Sequence, residues 1–139
     1  LAQSAAVTGL LPWANVGAGD TGTAWTAWTP TVTSQSGTFT TVSGSGRYKV
    51  IGKTCLYQII ITITTNGTAG GYIKATMPFT SANTGVGSMS NGAETAVVGY
   101  SVKGRIQSNS ADMFITKYDN TSMCVTGYSF TISGVYEIA

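Results

Sequence analysis

Few side chains in this chain could do chemistry, and their types limit what that chemistry is. Histidine is absent from the 139 residues, so neither a Ser-His-Asp nor a Cys-His nucleophilic arrangement can be assembled within the chain. Histidine-based metal sites fall away too, and the two cysteines, Cys55 and Cys124, are too few for a structural zinc site. Five carboxylates remain: Asp20, Glu94, Asp112, Asp119 and Glu137. Glycoside hydrolysis needs two carboxyl groups facing each other across a sugar. Asp112 and Asp119 flank one strand pattern and are expected at its opposite ends. Glu94 falls in a loop and could meet either across a subunit boundary. The ordinary role of such residues is as solvated loop carboxylates.

Other motifs carry less. Asp119-Asn120-Thr121 lacks the repeated acidic spacing of a calcium loop and reads as a turn in which Asp and Asn bond their own backbone. Gly85-Val86-Gly87 has neither the strand-helix context nor the third glycine of a dinucleotide fingerprint. Trp13, Trp25 and Trp28 could stack on sugar rings or serve as packing anchors, the commoner use of large aromatics. Tyr57, Tyr100 and Tyr118 read first as core or interface residues. Directional hydrogen-bonding groups gather in the loops around Ser81 to Glu94 and Ser108 to Asp112. There Asn83, Asn91, Glu94, Asn109 and Asp112 are the candidate contacts of a shallow saccharide site that neighbouring subunits could share. No cofactor and no metal site is implied.

These residues must be positioned by strands. From Cys55 to Ile63 the odd positions, Cys55, Tyr57, Ile59, Ile61 and Ile63, make one apolar face. The even positions, including Leu56, Gln58, Ile60 and Thr62, make a mixed face suited to cover by a second sheet or another copy of the chain. Further strands are expected at Trp28 to Ser34, Thr38 to Ser43, Arg47 to Ile51, Thr54 to Thr65, Tyr72 to Met77, Val97 to Val102, Arg105 to Gln107, Met113 to Tyr118 and within Val125 to Ile138. Residues 80–96 read as a loop with at most one short strand. No window has a helical period. The fold class is all-β, with a turn spacing that suits a sandwich or barrel. Residues 1–27, rich in Ala and Gly, read as a stem or linker packed on a head of residues 28–139.

Composition excludes several classes. Charged residues are 9% of the chain, against roughly 25% in average soluble domains, while 42% hydrophobic residues argue against disorder. Seven basic and five acidic residues give a net charge of +2 with no basic run. Sequence-independent nucleic-acid binding rests on many phosphate contacts and is disfavoured. No stretch approaches the ~20 apolar residues of a membrane helix, and the N-terminal LAQSAAVTGLLPWANV lacks the basic region of a signal peptide. Beginning at Leu, the chain is expected to be part of a longer one. Cys55 and Cys124 lie in or beside strand patterns and are expected reduced and buried.

Trp28-Thr29-Pro30-Thr31, then Gly37-Thr38-Phe39-Thr40, then Gly46-Arg47-Tyr48-Lys49-Val50-Ile51-Gly52-Lys53, the long strand and Met77-Pro78-Phe79 follow one another along the chain. Together they resemble the C-terminal domains of bacteriophage tail fibres and tailspikes over residues 28–139. The resemblance implies a jelly-roll-like antiparallel β-sandwich assembled as a homotrimer. It implies attachment to a bacterial surface polysaccharide or lipopolysaccharide at the virion tip, without membrane insertion. It carries over no catalytic residue. It also implies that Tyr48 anchors its hairpin in the core and that Gly52 permits the turn after it. The alternatives are a purely structural trimerisation or folding cap without a ligand of its own, and a hydrolytic domain with carboxylates assembled between subunits.

Overall fold

The structure, a computed structural model, describes residues 24–139; the stem assigned to 1–27 lies mostly outside them, as do Trp13 and Asp20. Nine strands and no helix are present among the described residues. They are β1 (Thr26–Trp28), β2 (Val32–Ser36), β3 (Thr41–Ile51), β4 (Thr54–Thr65), β5 (Gly70–Thr76), β6 (Ser88–Glu94), β7 (Ser101–Ile106), β8 (Asp112–Lys117) and β9 (Ser129–Glu137). All pair antiparallel in one sheet, ordered β1-β3-β4-β9-β6-β7-β8-β5-β2. The expected all-β antiparallel class is what the chain adopts. The two walls of the core, however, belong to a single continuous sheet that curls over as half a barrel.

Period-2 alternation places the core. Cys55, Tyr57, Ile59, Ile61 and Ile63 are at most 1% exposed and meet Phe130, Ile132 and Tyr136 of β9 and Ile73, Met113 and Ile115 from the opposite wall in one apolar cluster. Each fully buried side chain of this size contributes about 1.5–3 kcal/mol relative to exposure. Buried hydroxyls are matched: Tyr57 and Ser90 share a 2.5 Å hydrogen bond, and the Tyr136 hydroxyl donates to the Phe79 carbonyl and accepts from the Phe79 amide. That pair pins the Met77-Pro78-Phe79 segment to β9. Cys55 and Cys124 are free and buried, and burial pushes both thiols up.

The expected first strand, Trp28 to Ser34, is broken at the buried Pro30 into β1 and β2, because proline cannot supply a ladder N–H. The two pieces serve opposite margins of the sheet, β1 on β3 and β2 on β5. Between them Trp28 Nε1 donates to the Thr76 carbonyl, while the Thr31 amide donates to Thr76 Oγ1 and the Thr76 amide to the Thr31 carbonyl. The segment 26–36 thus ties both margins together across the open side of the half-barrel.

Two strands expected at Thr38 to Ser43 and Arg47 to Ile51 are one, β3. Its glycines make room instead of breaking it. Gly46 lies under the Trp28 ring and Gly44 under Pro30, where a Cβ would overlap both neighbours. Trp28 stacks edge-on against Tyr48, and Tyr48 against Phe79, so Tyr48 does anchor its hairpin. Gly52, at φ +60°, carries the turn into β4. Gly46→Ala is expected to lift Trp28 off the sheet, costing about 1–3 kcal/mol by overpacking. A red-shifted tryptophan emission with a lowered Tm would show it; unchanged emission would mean that Trp28 does not close the sheet.

Candidate functional site

The face of the sheet opposite the core carries accessible polar groups held in strand register. Register fixes who stands beside whom: Ala27 opposes Arg47, Arg47 opposes Gln58, Gln58 opposes Ser133, Ser133 opposes Asn91, and Asn91 opposes Lys103. These side chains therefore form one transverse row. Four strand spacings of about 4.8 Å place Arg47 and Lys103 roughly 19 Å apart, with two amides and a hydroxyl between them. The Arg47 Nε–H donates to Gln58 Oε1 at 2.7 Å, and its guanidinium lies 5.2 Å from the Trp25 ring centroid. Arg47, Gln58, Asn91 and Ser133 line a shallow depression of about 570 Å³. The next row supplies short side chains, Ser45 and Thr131, and the half-exposed Ile60 to the same depression.

Beside it, on β5 to β8, a second depression of about 550 Å³ is lined by Lys103, Arg105, Tyr72, Phe114, Thr116 and Met89 among others. The Tyr72 and Phe114 rings meet edge to face at 5.1 Å.

The five candidates named from sequence are not brought to one place. Asn83 and Asn109 lie in adjoining exposed loops, joined where the Asn109 amide donates to the Ala82 carbonyl. Asp112, the first residue of β8, lies at the same end and pairs with Lys74 at 3.3 Å. Asp119 is beyond the other end of β8, bonded to Thr121, so the two aspartates do not face each other. Asn91 is a strand residue of β6, exposed on the polar row.

Glu94 corrects the expectation most sharply. It is no loop carboxylate reaching solvent: it ends β6 and is 1% exposed. Its oxygens accept the amides of Ala96, Val97, Val98 and Gly99 at 2.7–3.1 Å. Burial opposes the charge, but these four donors outweigh it and bring the carboxyl down to about 2. Both oxygens are committed to the 95–99 turn, so this residue is a backbone anchor and not a sugar contact. The residues that sequence reading passed over, Gln58, Ser133, Lys103 and Arg105, are joined only by strand register. Gln58 had one visible signal, a polar side chain in the middle of the mixed face of β4.

Comparisons with protein-family models, with curated proteins and with solved structures give no match for this chain.

Proposed function

We propose that this chain is a non-enzymatic attachment head that recognises a bacterial surface saccharide as a homotrimer, in the manner of the tail-fibre and tailspike domains whose sequence pattern it resembles. The observation that carries the reading is the polar row Arg47–Gln58–Ser133–Asn91–Lys103, whose first four members line the shallow depression. Amides and hydroxyls both donate and accept, as a sugar's hydroxyl groups require, and a strand ladder holds them at fixed spacing. Of the four described side-chain carboxylates, Glu94 is spent on backbone amides, Asp112 on Lys74 and Asp119 on Thr121. That leaves Glu137, exposed at the end of β9, without a second uncommitted carboxyl among the described residues to pair with for glycoside hydrolysis.

Assembly follows from the same face. Leu56 opposes Val135 one row from the polar groups, and Val135 and Ile60 are each 50% exposed. Covering such groups with further copies of the chain stabilises by about 25 cal/mol per Å² of apolar area, once ordering costs are met. Copies packed through this strip would set the polar row at a subunit boundary. A shallow site gives weak affinity per subunit, on the order of millimolar, which three linked sites raise by avidity.

Light scattering is expected to report a trimer, and adsorption of that trimer to the host surface is expected to fall about tenfold in Gln58→Ala combined with Asn91→Ala. Trimers that bind no glycan would leave a structural cap as the function. A well-folded monomer at micromolar concentration would remove the assembly.

A further inference from the structure

We infer that the second depression, on the outer face of β5 to β8, takes an acidic saccharide: a sugar chain bearing carboxylate or phosphate groups. The inference rests on the reading of this chain as an attachment head and narrows its ligand. Lys103 opposes Thr116 and Arg105 opposes Phe114 across the β7–β8 ladder, so both cations stand on one face, two residues apart on one strand. Neither makes an ion pair or hydrogen bond among the described residues, and no carboxylate lines the depression. The nearest acid along β8, Asp112, is held by Lys74. Two uncompensated cations in a depression of about 550 Å³ are complementary to an anion. Arg105 has the planar fork that binds a carboxylate or phosphate through two parallel hydrogen bonds, with Lys103 as a point charge beside it.

The rest of the lining says what carries the anion. Phe114 directly faces Arg105 across the ladder, and its ring meets Tyr72 edge to face. Such a pair presents apolar ring surface to the C–H face of a pyranose whose acidic group points at the guanidinium. Thr116 and Gln107 supply hydroxyl and amide groups around it. A nucleic acid would also pair phosphates with cations and bases with rings. It draws its affinity from many phosphate contacts, however, and the chain's net charge of +2 without a basic run does not provide them. Lys103 belongs both to this depression and to the polar row through Asn91. One chain of sugars can therefore run from the neutral contacts at Gln58 into the charged ones at Arg105.

An array printed with neutral bacterial glycans and with carboxylate- and phosphate-bearing ones, probed with the full chain, tests this. Retention is expected on acidic spots, at least tenfold above neutral ones, falling as salt is raised. The carboxylate and phosphate spots separate the two sources of the anion. Lys103→Gln with Arg105→Gln is expected to erase the preference without changing Tm. Phe114→Leu, which keeps apolar volume but removes the ring, should weaken retention while the salt dependence persists. Retention on neutral spots alone, or equal retention by the double glutamine variant, overturns the acidic ligand and leaves the attachment reading standing. Retention on no spot overturns both. Displacement from acidic spots by oligothymidylate at lower concentration than by galacturonate or glucose 6-phosphate also overturns it, in favour of nucleic acid.

Discussion

Replacing Ile61 with aspartate is expected to abolish the fold, whereas the same charge one residue later, in Thr62→Asp, leaves it standing. Ile61 is fully buried on β4, with Gly44 on one side and Phe130 on the other in register. A carboxylate there has no donor to meet it, and leaving it unpaired costs several kcal/mol on top of the lost apolar packing, a large share of the roughly 5–15 kcal/mol that holds a domain together. Thr62 stands on the other face, partly exposed, with only a hydroxyl contact to Ser129 at 2.9 Å. Losing that contact costs about 1 kcal/mol, and the new charge can reach water. Its main consequence should fall on assembly, because it is introduced beside Ile60 on the face proposed to meet other copies. Circular dichroism and light scattering on both variants separate the two effects. Equal loss of structure in both would mean that the two faces of β4 have been assigned the wrong way round.

Alternation made β4 legible: its apolar odd positions and turn-bounded ends gave Thr54 to Thr65, the strand observed. Local signals misled wherever a distant partner decided the outcome. Gly44 and Gly46 look like a break in β3, yet they accommodate Pro30 and Trp28, which belong to the neighbouring strand β1 and the residues just after it. The stretch 80–96, read as a loop with at most one short strand, holds one, Ser88–Glu94, but its weak local pattern gives no hint that it lies between β7 and β9. Val97 and Val98 were expected to open a strand, since β-branched residues favour one. Instead their amides turn onto Glu94 and their side chains are 61% and 56% exposed.

The same limit applied to the candidate surface. Lys103 and Arg105 could be seen to share a face from their spacing alone. That Phe114 and Asn91 stand beside them depends on register, which is set by turn geometry and burial over long sequence separations. The loop pattern points to Asn91, which stands on a strand, and to Glu94, whose oxygens hold the 95–99 turn. No residue type near Glu94 marks it as a local anchor, because the groups that hold it are backbone amides, which every non-proline residue carries.

Glu94→Gln is expected to destabilise the protein by roughly 3 kcal/mol at neutral pH. The carboxyl is brought down from 4.5 to about 2, and each pKa unit corresponds to about 1.4 kcal/mol of preference for the charged form in the folded state. Because the folded value lies below the unfolded one, the contribution is fully present above pH 4.5. It is lost as the pH falls from there toward 2. Glutamine keeps the size but removes the charge, and it turns one acceptor into a donor facing amides that already donate. The 95–99 turn would then lose the group that gathers the amides of Ala96 through Gly99. Amide exchange should accelerate at those four positions, even where the rest of the sheet keeps its protection. Denaturant unfolding from pH 7 to pH 2 gives the second reading. The parent chain should lose stability across the window below 4.5, and the Glu94→Gln chain should start lower and change less. Parallel pH profiles with similar midpoints at neutral pH would show that the turn is held by its own backbone and that the Glu94 charge contributes little.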